Sequence, residues 1–162
     1  MKTFIADFKN PEHGKDILYL LNEYAKDPLG GSEPISDFAR DNLLGALAEI
    51  PGAFSVLCYI GSTPAGLANC FQGFSTFKCK PLINIHDIVV IEEYRGKGIS
   101  QALMTLIESV ALDRQCCKLT LEVLEGNQNA ISAYKKFGFI PYELDNKYGR
   151  ASFWEKELET DK

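Results

Sequence analysis

The sequence predicts one α/β (α+β) domain spanning residues 1–162, and three observations carry that prediction. Apolar residues recur at helical spacing in some segments and run or alternate in others, in the order β-α-α-β-β-β-α-β-α-β-β. Hydrophobic residues make up 46% of the chain and charged residues 24%, which suits a soluble chain with a sizeable core. No repeat, low-complexity stretch or linker divides it.

Each element follows from its local pattern. Thr3–Phe8 alternates weakly, as a first strand does. Residues 12–26 place Ile17, Leu18, Leu21 and Tyr24 at helical spacing, and Asp27-Pro28 stops them. Leu29-Gly30-Gly31-Ser32 is a flexible turn. Pro34 is expected to open a second helix with Phe38, Leu43, Leu44 and Leu47 on its buried side, ending at Pro51-Gly52. Ala53–Ile60 is a strand, Gly61-Ser62-Thr63-Pro64 a hairpin turn, and Ala65–Phe77 a long, partly aromatic return strand. Leu82–Ile91 is a central strand. Leu103, Leu106, Ile107 and Val110 mark an amphipathic helix that Asp113-Arg114-Gln115 closes. A strand over 117–124, a helix over 128–137 and strands over 139–144 and 151–158 complete the order.

Several function classes are disfavoured. The net charge is −5 and no Lys/Arg-rich run is present, which argues against a nucleic-acid partner. No apolar stretch approaches the roughly 18 residues of a membrane span. The apolar run at Met1–Phe8 is too short for a signal peptide. Five cysteines, Cys58, Cys70, Cys79, Cys116 and Cys117, show no C-x-x-C spacing, so neither a metal site nor a disulfide framework is expected. Reduced thiols suit a cytoplasmic location.

Tyr94-Arg95-Gly96-Lys97-Gly98-Ile99-Ser100 joins the central strand to the amphipathic helix. A strand, a glycine loop with two cations and a helix start make an anion site. Glycines allow close backbone approach, and the first helical N–H groups are unpaired at the positive end of the dipole. Gln101 breaks a G-x-G-x-x-G fingerprint, and Ile99 after Gly98 breaks a P-loop. What survives is Arg95, Gly98 and Ser100 in the order Arg-x-x-Gly-x-small. It closely resembles the acyl-CoA loop of the GCN5-related N-acetyltransferase (GNAT) family. Asn127-x-x-Ala130-x-x-x-Tyr134-x-x-x-Gly138-Phe139 resembles a second motif of that family. Together the two cover roughly residues 85–142. Ser100 stands where Gly or Ala is more usual, and Glu92 where Pro is frequent.

The resemblance implies a mixed, mostly antiparallel sheet of about seven strands with four helices on both faces. It also implies acetyl-CoA as cofactor and N-acetyl transfer by direct attack of an amine in a ternary complex. The pyrophosphate cradle falls on Arg95, Gly96, Lys97, Gly98, Ile99 and Ser100, and the pantetheine arm on the backbone of Ile88, Val89 and Val90. Asn127 matches a residue that touches the cofactor, and Asn is also a common helix N-cap. Tyr134 matches the usual proton donor to the departing thiolate; the other reading is a tyrosine packed beside Phe137 and Phe139. His86 matches the position of the base proposed for polyamine acetyltransferases, and a hydrogen-bonded core histidine is the alternative. Strand alternation sends Asp87 to the opposite face from His86, as a structural residue or a water-mediated base.

The acceptor is expected to be a small-molecule primary amine. Asp27 and Gly30 lie in the turn, Phe71 and Phe74 offer walls, and Gln72, Ser75 and Thr76, with His86, offer polar contacts. Glu23, Asp27 and Glu33 favour a cation. A solvated loop beside a core-packing strand accounts for the same residues equally well. These segments, with 145–150, resemble a bacterial subgroup whose acceptor is unnamed. A peptide or protein N-terminus as acceptor, and an acyl-CoA sensor without turnover, are the rival readings. The family often forms dimers, so a homodimer fits the resemblance.

Overall fold

The computed structural model describes residues 1–158. Within them, β1 (Lys2–Ile5), β2 (Phe54–Ile60), β3 (Thr63–Ser75), β4 (Lys80–Val90) and β5 (Leu119–Leu121) form one sheet in that order. Neighbours from β1 to β4 are antiparallel, and β5 runs parallel to β4. The helices are α1 (Pro11–Lys26), α2 (Asp37–Glu49), α3 (Ile99–Asp113) and α4 (Gln128–Phe137).

Helices cover both faces. On one, Ile99, Leu103, Met104 and Ile107 of α3 pack with Val56, Ala68, Ile83 and Ile85, and Tyr134 of α4 joins them. On the other, Ile17 and Leu20 of α1 pack with Leu57, Leu67 and Val89, with Leu44 of α2 at the margin. Each buried aliphatic side chain of this size contributes roughly 1.5–3 kcal/mol, so these two clusters hold the layers together. The α3 layer lies close over β3. A Cβ at Gly66 would stand 2.6 Å from Ile99 Cγ2.

The helices begin where local chemistry caps them. Asn10 accepts from Glu12 N at 3.0 Å with Pro11 at the first position of α1. The second helix starts at Asp37, three residues after the expected Pro34. Ser36 Oγ accepts from Ala39 N at 3.1 Å, and Ile35 N is drawn aside to Asn22 Oδ1 at 3.2 Å. The first strand ends at Ile5 instead of Phe8, because Asp7 N donates to His13 Nδ1 and turns the chain into α1.

The sheet has five strands where about seven were expected. Residues 139–144 and 151–158 are not strands, and a single antiparallel bridge joins Glu143 to Arg150. Pro141 cannot donate to a ladder, and Phe153-Trp154 breaks the alternation that would seat one face. Ile140, Leu144, Phe153 and Trp154 are exposed. The expected strand 117–124 is ordered as a strand only over Leu119–Leu121.

That shortening has a cause on β4. Asn69 faces Asp87, yet Cys70 faces Ile85, so His86 is an extra residue with no partner on β3. Parity reverses there. Ile83 and Ile85 face the α3 cluster before the bulge, and Ile88 and Val90 after it. The parallel ladder to β5 stops at Ile85–Leu121. Beyond it, residues 86–90 have no strand partner on that edge among the described residues.

Candidate active site

The glycine loop ends at the open edge of β4. Glu92–Tyr94 make one 3-10 turn, and Gly96 and Gly98 take φ of 77° and 81°. Only glycine adopts this region freely. A Cβ at either would meet nothing within 4 Å, so the loop stands off the protein and its backbone is approachable. Gly98 is the N-cap of α3, no side chain caps it, and the first turn holds no acid. The leading N–H groups of α3, at Ile99 and Ser100, thus keep both their donors and the positive end of the dipole for an anion. This cradle fits a pyrophosphate. Lys97 Nζ lies 4.8 Å from the Tyr94 ring centroid, beside the loop. Arg95 is committed elsewhere. Its Nε donates to Val90 O at 3.1 Å and its Nη2 to Asp27 Oδ2 at 2.9 Å.

Gln101, the residue that broke the dinucleotide pattern, donates to Ala133 O at 3.0 Å and ties α3 to α4. Asn127 caps α4, its Oδ1 accepting from Ala130 N at 3.1 Å. Tyr134, on the same helix, is only 9% exposed and meets Phe139 edge-on. Burial, and then the nearby Tyr24, push its pKa up to about 12. The phenol therefore stays protonated near neutrality. A free thiol titrates near ~8.5, well below this phenol, so complete proton transfer to a thiolate is uphill by about three and a half powers of ten. Tyr134 is chemically suited to donate a hydrogen bond to a developing thiolate.

The bulge corrects the expected arrangement of His86 and Asp87. His86 meets Phe71 edge-on, ring centroids 5.5 Å apart, and Asp87 Oδ2 accepts from Asn69 Nδ2 at 3.0 Å. Asn69 and Phe71 lie two residues apart on β3, on one face, so the two side chains that alternation separates are brought to the same face. Ser55 Oγ donates in turn to Asn69 Oδ1 at 2.6 Å. Tyr24 of α1 looks onto the same place, its pKa raised by burial, then Asp87, then Asp27. Sequence reasoning missed Tyr24, Asn69 and Ser55. A polar Asn inside Ala65-Gly-Leu-Ala-Asn-Cys-Phe71 was the available signal.

Among the expected acceptor residues, Asp27 sits at the C-cap of α1, and the Leu29 N–H, then Arg95, hold its carboxyl below its ordinary value. Gly30 makes the turn that follows. A Cβ there would fall 1.9 Å from Tyr24 O. Gln72 turns away and accepts from Arg114 at 3.3 Å. Phe74 faces Pro81 and Ser75 faces Lys80, five and six residues from His86. At ~3.4 Å per residue this is about 17–20 Å from His86, and about 10–14 Å along β3 from Phe71. Burial, then Asp87, push the Cys70 thiol up to about 12, which disfavours it as a nucleophile. The described residues hold no helix long and apolar enough to cross a membrane and no cluster of three metal-ligating side chains.

Residues 17–139 match the acetyltransferase (GNAT) family. The thialysine N-epsilon-acetyltransferase of Bos taurus is 35% identical over 145 residues, covering 84% of this chain and 83% of that one. The likeness therefore extends beyond a bacterial subgroup. A probable acetyltransferase of known structure shares the fold with a TM-score of 0.78 at 18% identity, covering 98% of this chain and 100% of that one. An aminoglycoside N-acetyltransferase solved in complex with CoA does so with a TM-score of 0.73 at 15% identity, covering 97% and 96%. The chain belongs to the acetyltransferase (GNAT) family and is an acetyl-CoA-dependent acetyltransferase.

Proposed function

We propose that the chain acetylates a primary amine of a small molecule by direct attack within a ternary complex, and that lysine-like amines are its first candidates. The observation that carries this reading is the edge of β4 from His86 to Val90, which has no strand partner among the described residues. It runs from the bulge to the uncapped start of α3, with Asp87 on it and Tyr134 buried beside it. The 35% identity to a thialysine acetyltransferase supports a lysine-like acceptor.

Bound acetyl-CoA would supply an acetyl carbon to which the neutral amine nitrogen bonds as the carbon–sulfur bond breaks, the nitrogen's remaining excess proton ending on the departing thiolate to give the free thiol. The cradle of Arg95–Ser100 binds the pyrophosphate through backbone N–H groups, and the backbone of Ile88–Val90 pairs with the extended arm. A lysine-like ammonium has a pKa near ~10.4, so only about one molecule in a few thousand is neutral at pH 7. Asp87 attracts that cation and accepts its proton, directly or through water, and such catalysis is worth ~10²–10⁴-fold. His86 and Phe71 wall the acceptor side. Tyr134 donates a hydrogen bond to the leaving sulfur.

Thiol release from acetyl-CoA, measured with thialysine, lysine, polyamines, aminoglycosides and short peptides, tests the reading. Turnover that depends on a lysine-like amine is expected. Faster turnover of peptides would replace the acceptor class, and CoA binding without turnover of any amine would sink the enzymatic assignment to this acceptor class.

A further inference from the structure

We infer that Asn69, held by Ser55, is a positioning residue that sets the Asp87 carboxylate for proton transfer. This rests on the role given to Asp87 above.

Three adjacent strands carry the arrangement. Ser55 on β2 faces Asn69 on β3, and Asn69 faces Asp87 on β4, each as a direct cross-strand pair. The side chains are bonded in the same order, at 2.6 Å and 3.0 Å. A row of hydrogen bonds thus crosses the sheet at right angles to its strands. It begins at Ser55, which is wholly buried, and passes through Asn69, which is 3% exposed. It ends at the half-buried Asp87, beside the bulge, on the edge that β5 has left.

Chemistry gives the row a direction. A carboxylate oxygen only accepts, so the Asn69 amide must present Nδ2 to Asp87 and Oδ1 to Ser55. The Ser55 hydroxyl then donates to Oδ1 and fixes that orientation. Asp87 Oδ2 is held by a donor that cannot swing away, because both partners behind it are enclosed. Packing alone does not require such a pair. Replacing both members of a buried neutral hydrogen bond by apolar groups is often close to neutral for stability. The row has one solvent-facing end, and that end is the proposed proton acceptor. Asp87 is anchored from within the sheet, whereas His86, beside it on the bulge, makes no described hydrogen bond through its side chain.

The test is a double-mutant cycle read in steady-state kinetics, with thialysine or the panel amine turned over fastest as acceptor. Asn69→Leu is expected to lower kcat about 10–100-fold, the range for losing a hydrogen bond to a charged group. Ser55→Ala should lower it less, about 3–10-fold, by freeing the amide. CoA affinity by calorimetry should stay within about twofold of wild type in both. In an Asp87→Asn background, neither substitution should lower kcat further. Unchanged kcat in Asn69→Leu, while Asp87→Asn collapses it, would overturn the positioning role and leave the role of Asp87 standing. An equal loss in both backgrounds, or CoA affinity falling in step with kcat, would also overturn it. Where Asn69→Leu does not fold, the Ser55→Ala cycle gives the same decision. Unchanged turnover in Asp87→Asn, or no turnover of any panel amine, would remove the earlier reading and this one together.

Discussion

Asp27 and Arg95, 68 residues apart in sequence, are joined by an ion pair of 2.9 Å. One sits where α1 ends and the other where the glycine loop begins. The same guanidinium also grips Val90 O, the last residue of β4. The pair thereby fixes the α1–α2 connection against the glycine loop, and links the side expected to meet the acceptor to the proposed pyrophosphate cradle.

Breaking that pair should matter more for binding than for folding. The two side chains are 54% and 24% exposed, and such pairs contribute ~0–1 kcal/mol. Arg95→Ala is expected to lower the melting temperature by only a few degrees while raising the KM for acetyl-CoA and for the amine together. The Asp27 carboxyl is held below its ordinary value, so its stabilisation is present above the unfolded-state value near 3.8 and is lost as pH falls through its own lower one. Melting curves of wild type and Asp27→Asn should therefore differ at neutral pH and converge in acid.

Two glycines should fail for different reasons. At Gly98 a methyl group has room but φ is +81°, so Gly98→Ala should cost about 1 kcal/mol and weaken CoA binding by distorting the start of α3. At Gly66 a methyl group would strike Ile99 Cγ2 at 2.6 Å, in the core. Gly66→Ala should lose about 1–3 kcal/mol by overpacking and, through Ile99, also weaken CoA binding from outside the site. Thermal melts paired with calorimetry separate the two.

Tyr134→Phe should keep CoA affinity and lower kcat, by about 10-fold if a hydrogen bond to the leaving sulfur is lost. Because the folded-state pKa is pushed up to about 12, no alkaline limb from Tyr134 should appear in the rate profile below about pH 11. The stability tied to this protonated phenol is present below the ordinary value near 10 and is lost as pH rises toward about 12. Wild type should therefore lose stability faster than Tyr134→Phe in that window.

The helices and the inner strands were legible because their signals are local. Ile17 and Leu21 share a helix face, Leu103, Ile107 and Val110 another, and Gly98 marks the break before α3. The glycine loop and the start of α3 were legible because glycine spacing and a helix start are written in consecutive residues. The relation of His86 to Asp87 was not. An extra residue on β4 exists only relative to β3, and nothing in Asn84-Ile-His-Asp-Ile-Val-Val states which residue will lack a partner. Ser55, Asn69 and Asp87 meet across three strands through register, which a linear pattern does not contain. The segments 139–144 and 151–158 looked like strands by composition, but a strand also needs an edge to join, and β5 offers three residues.

The reversal of parity at His86 makes β4 a strand of two phases. Ile83, Ile85, Ile88 and Val90 are locked into one packed cluster and Val89 into the other. His86 belongs to neither cluster. Its side chain can change in size or charge without displacing a core contact, while its neighbour Asp87 keeps its anchorage through Asn69. If His86 walls the acceptor side as proposed, acceptor preference can be tuned at a position outside both packed clusters, where natural variation or a saturation library can explore it with little effect on folding.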